Sequence, residues 1–156
     1  MLNEARDLAI ELLIKPFEGC HRLLPNGLIA PYICPAGYPT QGWGIVVPSM
    51  DVPHITPAIA DAILAREVPR YMTDALNLSP VLALYPKRLG AVTSFVFNLG
   101  APRYRSSTLR RRINAQDWDD AAAEFDKWVF AGGRKLTGLV RRRAAERKVF
   151  ESETRP

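Results

Sequence analysis

The chain has 156 residues, 47% of them hydrophobic, and a formal net charge of +5. That composition belongs to a globular protein, and a domain of this size buries roughly 70% of its unfolded surface without help from disulfides or metal. No apolar run approaches the roughly 18–20 residues of a membrane-spanning helix, and Glu4, Arg6, Asp7 and Glu11 interrupt the N-terminus where a secretory signal would be uncharged, so neither stable membrane insertion nor a leader is expected.

Leu2, Ala5, Ala9, Leu12 and Leu13 recur at helical spacing and predict an amphipathic helix over 2–14, ended by Pro16 and Gly19. Between residues 19 and 57 proline and glycine become frequent. Asn26-Gly27 is a hairpin turn signal and Pro35-Ala36-Gly37 a second turn, which predicts short antiparallel strands at 22–24, 28–34 and 38–42. Thr56 as N-cap and Pro57 in the first helical position open a helix to about Leu76. The remainder reads as helical: 87–99, a short helix capped by Ser106 or Ser107 and reaching Ile113, 118–129 behind Asp117, and 137–152 after Gly132-Gly133. The expected class is α+β with segregated strands. One domain over 1–156 is expected, with a sheet lobe at about 1–55, a connecting helix at about 56–78 and a helical lobe at about 79–156. Two such lobes would leave a groove suited to an extended polymer.

Glu18 stands where the first helix meets the sheet, beside Phe17. An acid next to an aromatic at a helix end is a candidate for partial desolvation, which suits a general acid. By position alone it is equally an ordinary surface glutamate. Cys20, His21, Cys34 and His54 are too irregularly spaced for a recognised zinc site, and no metal or cofactor is expected. A disulfide between Cys20 and Cys34 would lock the Cys34 thiol, but a reduced pair is the expectation for a cytosolic chain. The arginines at 110–112 and 141–143 favour polyanions without choosing among them, and no recognised nucleic-acid motif accompanies them. Trp43, Trp118 and Trp128 read as packing residues rather than sugar-stacking ones.

Phe17-Glu18-Gly19 closing a first helix resembles the catalytic opening of glycoside hydrolase family 24, the phage-type lysozymes. The stretch Cys34-Pro35-Ala36-Gly37-Tyr38-Pro39-Thr40-Gln41-Gly42-Trp43-Gly44 is similar to that family's Asp-Pro-Ala-Gly-x-x-Thr-Ile-Gly-Tyr-Gly segment. Ser94 to Gly100 with Arg105 to Leu109, and Trp128 to Gly133 leading into Gly138 to Arg143, also fit, in the family's order and over nearly the whole chain. The resemblance implies a lysozyme-like fold and an endolysin that hydrolyses the β-1,4 bond between N-acetylmuramic acid and N-acetylglucosamine of peptidoglycan. It implies Glu18 as general acid, Thr40 holding the attacking water, and Cys34 in the position of the family's Asp. Arg141 is implied as the partner of the catalytic Glu, with a one-residue shift within 141–143 left open, and Asn98 as a supporting residue.

Three departures stand out. A thiol replaces a carboxylate at Cys34, and an unperturbed thiol with pKa near 8.5 is mostly protonated at neutral pH. Seven extra residues separate Glu18 from Cys34, around the Asn26-Gly27 turn. Ile45 occupies a position where many relatives carry His. The missing carboxylate keeps a lytic transglycosylase open as an alternative, and a non-catalytic wall-binding protein of the same fold is a second. The family also implies a monomer held in the host cytoplasm until a holin opens the way to the wall.

Overall fold

The computed structural model describes residues 1–19 and 22–154, so the expected strand at 22–24 is described while Cys20, and with it a Cys20–Cys34 pair, lies outside the described residues. Contacts fall into two compact units, Ile14–Glu67 and the combination of Met1–Leu13 with Val68–Pro156.

The first unit begins inside a helical run. Helix α1 (Leu2–Leu8) passes into a π-helical segment (Ala9–Ile14) and then α2 (Lys15–Glu18). Pro16, expected to end the helix, lies in the first turn of α2, where its missing N–H costs nothing. The helix stops at Gly19, the other residue expected to end it, at φ 64. The sheet has three antiparallel strands in the order β1 (Tyr32–Ile33), β2 (Pro39–Gln41), β3 (Ile45–Val46), with Thr40 opposite both Tyr32 and Val46. Both predicted turns are present: Leu24 and Leu28 close the first, and Cys34 N–H donates to Tyr38 O at 3.0 Å across the second.

The third strand is not the one expected. Residues 22–24 contribute only the Leu23–Ile29 bridge, while Ile45–Val46 completes the sheet. Arg22 takes a left-handed φ of 61, which a strand cannot extend through, and Pro31 has no N–H for a ladder. Gln41, buried, donates through Nε2 to Ile29 O and Pro53 O, each at 3.0 Å, and so fastens β2 to the loops around it.

Helix α3 (Pro57–Leu78) opens as predicted, with Ile59 N–H donating to Thr56 Oγ1 at 3.2 Å. It crosses the boundary between the units next to Pro69, where the proline removes one ladder bond.

The helical unit holds α4 (Pro86–Leu99), α5 (Ala101–Ser106), α6 (Thr108–Asn114), α7 (Trp118–Glu124) and α8 (Thr137–Glu151). Ser107 caps α6 by accepting the Arg110 N–H at 3.0 Å. One part of this unit departs from expectation: the helix expected over 118–129 ends at Glu124. Residues 80–84 and 125–127 form 3-10 turns, and Phe130–Ala131 pairs with Arg134–Lys135 as a hairpin, β4 and β5, around Gly132-Gly133. Gly132 and Gly133, both at positive φ, form the tip of that hairpin.

Phe95 on α4 centres the core of this unit, edge-on to Phe125 at 5.7 Å and to Trp128 at 5.3 Å, which makes Trp128 a packing residue. Ala5 and Leu13 belong to the same core. Beside that core lies a buried ion cluster. The Glu146 carboxylate accepts the Ser94 hydroxyl at 2.7 Å, Arg142 Nε at 3.3 Å and Arg143 Nη2 at 3.2 Å. Arg143 Nε approaches the second oxygen to 2.9 Å as an ion pair without hydrogen-bond alignment. Burial lowers the Arg143 guanidinium to about 10, still protonated at neutral pH. Burial also raises the Glu146 carboxyl, against the two arginines, which pull it down.

Candidate active site

Glu18, Cys34 and Thr40 all belong to the sheet unit. The last residue of α2 is Glu18, half-buried, and its carboxylate lies against the turn between β2 and β3: a Cβ built on Gly44 would stand 2.7 Å from Glu18 Oε2 and 3.2 Å from its Cδ. Thr40 is the middle residue of β2, buried, and it opens the five-residue path to that same turn. Cys34 follows β1 directly and begins the turn that returns the chain to β2. Cys34 and Thr40 therefore flank the turn between β1 and β2, while Glu18 reaches the next turn, between β2 and β3, from the end of α2.

The chemistry of Cys34 is not that of an ordinary thiol. Its pKa is lowered by backbone donation from Tyr38, then by the Thr40 hydroxyl, with further help from the N–H groups of Ala36 and Gly37. Backbone donors converging on one acceptor at a turn stabilise an anion, whether a thiolate or the carboxylate that relatives carry there. Thr40 has one hydroxyl proton and two acceptors for it, the Cys34 sulfur and Tyr38 O at 3.0 Å.

The turn after Thr40 is fastened from the side. Trp43 Nε1 donates to Asp61 Oδ1 at 2.7 Å, and Lys15 Nζ lies 3.1 Å from the same oxygen. A cavity of about 240 Å³ opens between this turn, β3 and α3, lined by Trp43, Ile45, Ile55, Ile63, Arg66 and Glu67 among others. None of Glu18, Cys34 and Thr40 lines it, so the chemistry lies elsewhere. Ile45, in place of the family's His, packs its apolar side chain there.

Arg141 and Asn98 belong to the helical unit. Arg141 is exposed on α8, whereas Arg142 and Arg143 turn inward to Glu146, since neighbouring helical residues point about 100° apart. The Asn98 side-chain oxygen accepts Arg143 Nη2 at 2.9 Å, leaving its NH₂ for other partners. Sequence reasoning passed over Asp61, Lys15 and the Gly44 contact. The second glycine of the Gly42-Trp43-Gly44 motif was a signal, but Asp61 lies 18 residues beyond Trp43 with nothing in its neighbourhood to mark it.

The phage lysozyme family model matches residues 15–146. An endolysin of Acyrthosiphon pisum secondary endosymbiont phage 1 is 34% identical over 145 residues, 90% of this chain and 94% of that one. A SAR-endolysin of Bacteriophage PS119 is 47% identical over 96 residues, covering 60% of this chain and 56% of that protein. Among solved structures, the muramidase domain of SpmX from Asticaccaulis excentricus aligns with a TM-score of 0.76 at 29% identity, over 91% of this chain and 93% of that one. Helical bundle, three-stranded sheet and acid-bearing helix end together define a lysozyme-type glycoside hydrolase of α+β architecture. The chain belongs to the phage lysozyme family, and as an endolysin it hydrolyses bacterial peptidoglycan. No helix among the described residues is long and apolar enough to cross a membrane.

Proposed function

We propose that the chain cleaves the β-1,4 bond between N-acetylmuramic acid and N-acetylglucosamine, with Glu18 protonating the glycosidic oxygen while Thr40 and Cys34 orient the attacking water. The observation that supports the reading is the Glu18 carboxylate lying against the turn that follows β2, the strand of Thr40, within a chain of the phage lysozyme family. Inversion by hydrolysis needs an acid on one face of the sugar and a group that activates water on the other. With its pKa lowered, Cys34 supplies more thiolate near neutral pH than an ordinary thiol, so it takes the base role in part rather than merely filling space.

Replacing Glu18 by Gln removes the proton and keeps the shape, and should reduce the rate on the order of 10²–10⁴-fold. Near-normal lysis of cell walls by Glu18→Gln would refute the assignment. Muropeptide products read the other half: reducing ends report water as nucleophile, whereas anhydro ends would mean transglycosylation, the reading that the missing carboxylate at position 34 favours. A Cys34→Asp variant should keep reducing ends and raise the rate; Cys34→Ser should lower it.

The roles of Asn98 and Arg141 rest on the family resemblance alone, and Asn98→Ala assayed for KM and kcat separately tests the first of them. Action as a monomer, residence in the host cytoplasm before lysis and dependence on a holin belong to the same proposal. Cytoplasmic expression should leave cells intact until a holin is co-expressed, and lysis without one would overturn that part.

A further inference from the structure

Glu18 and Lys15 stand at opposite ends of the four-residue helix α2, and both meet the turn between β2 and β3. At one end, Lys15 Nζ lies 3.1 Å from Asp61 Oδ1 and 5.5 Å above the Trp43 ring. Asp61 Oδ1 also accepts the Trp43 indole N–H at 2.7 Å, so one carboxylate ties the helix and the turn together. At the other end, the Glu18 carboxylate fills the place a side chain at position 44 would take, with Oε2 at 2.7 Å and Cγ at 3.6 Å from the missing Cβ. Two contacts one turn apart thus tie the end of the helical run to this turn and to Asp61.

We propose that Gly44 is a positioning residue for Glu18, its bare Cα being the seat of the carboxylate, and that the Lys15–Asp61–Trp43 contact keeps helix and turn in register. The inference rests on the reading of Glu18 as proton donor. A general acid works only within hydrogen-bond reach of the oxygen it protonates. A displacement of about 1 Å costs on the order of 10²-fold in rate. Any side chain at 44 evicts the carboxylate. What yields is the far end of a flexible glutamate and not backbone, so the fold survives while the acid moves.

The test is Gly44→Ala, read in the full chain by thermal unfolding and by kcat and KM on peptidoglycan. Gly44 has φ +81, so alanine there carries backbone strain as well as the clash. Gly133 supplies the control: at φ +74 with nothing within 4 Å, Gly133→Ala reports the strain alone. Similar losses of thermal midpoint are expected for the two variants, with kcat falling on the order of 10²-fold only in Gly44→Ala and KM within about twofold of wild type. Asp61→Asn, which keeps an acceptor for the indole but loses the charge facing Lys15, should lower kcat about fivefold without moving KM.

The seat is overturned if Gly44→Ala keeps kcat within about threefold of Gly133→Ala. It is equally overturned if KM rises in step with the loss of kcat, or if the midpoint falls far below that of the control, since either outcome makes the glycine a folding requirement. Unchanged kcat in Asp61→Asn removes the register half of the proposal. Glu18→Gln is assayed alongside: an active Glu18→Gln refutes the proton-donor reading itself, whereas an inactive Glu18→Gln beside an active Gly44→Ala refutes only the seat.

Discussion

Leucine in place of Glu146 would leave the Arg143 guanidinium inside the helical unit without the carboxylate it pairs with. Arg143 is 0% exposed and Arg142 3%, so water cannot replace the lost partner without opening the fold. The substitution also removes the acceptor of the Ser94 hydroxyl at 2.7 Å, the bond that ties α8 to α4. Breaking a buried charge network by deleting one partner costs about 3–5 kcal/mol, because the penalty is that of the stranded charge and not the worth of the pair. At roughly 2–4 °C per kcal/mol for a protein of this size, the thermal midpoint should fall by about 6–20 °C.

Urea and thermal unfolding followed by circular dichroism measure this directly. A triple variant with Arg142→Met, Arg143→Leu and Glu146→Met separates the two contributions. It removes charge and partner together, and should recover most of the loss, since well-packed apolar replacements of buried ion networks are often neutral or stabilising. A loss below about 1 kcal/mol for Glu146→Leu would refute the reasoning, because it would mean that the arginines find water or a new partner at little cost. The cluster bears on the enzyme as well. Arg143 holds the Asn98 side-chain oxygen at 2.9 Å, so freeing Arg143 from Glu146 also loosens Asn98.

Two further outcomes follow from the sheet unit. In a Cys20→Ser background, alkylation of Cys34 by iodoacetamide should reach half its maximal rate below the ordinary thiol value of 9.0, because the lowered pKa puts thiolate in solution at lower pH. Thr40→Val should move that midpoint up by removing a donor to the sulfur, and a midpoint at or above 9.0 in the unmutated sheet would contradict the backbone-donor account. Gln41→Leu strands Ile29 O and Pro53 O, each bonded at 3.0 Å by the same amide, and should destabilise by about 1–3 kcal/mol in denaturant titration. A change under about 0.5 kcal/mol would show that water reaches both carbonyls.

What the amino-acid order determined by itself is local. Thr56-Pro57 opens α3, Ser107 caps α6, and Asn26-Gly27 and Pro35-Ala36-Gly37 turn the chain where their backbone preferences predict. Those features depend on φ/ψ preferences within a few residues, which sequence alone encodes. The candidates Glu18, Cys34 and Thr40 came from a different source, the resemblance to a family motif, which names residues without their geometry.

Tertiary structure decided the rest, wherever the deciding atoms are remote in the chain. Pro16 stays inside a helix because the preceding π-helical segment passes the chain into a new first turn, a position that tolerates proline. The third strand is Ile45–Val46 and not 22–24 because Gln41 and the Gly42–Gly44 turn bring it back beside β2, while Arg22 adopts a backbone that cannot extend the sheet. Which arginines of 141–143 are buried was settled by Glu146 and Ser94 across the helical unit, and no periodicity of α8 alone marks it. The thiol owes its lowered pKa to donors assembled by a turn and a neighbouring strand. Glu18 acquired a fixed place only when a glycine 26 residues further on left room for its carboxylate.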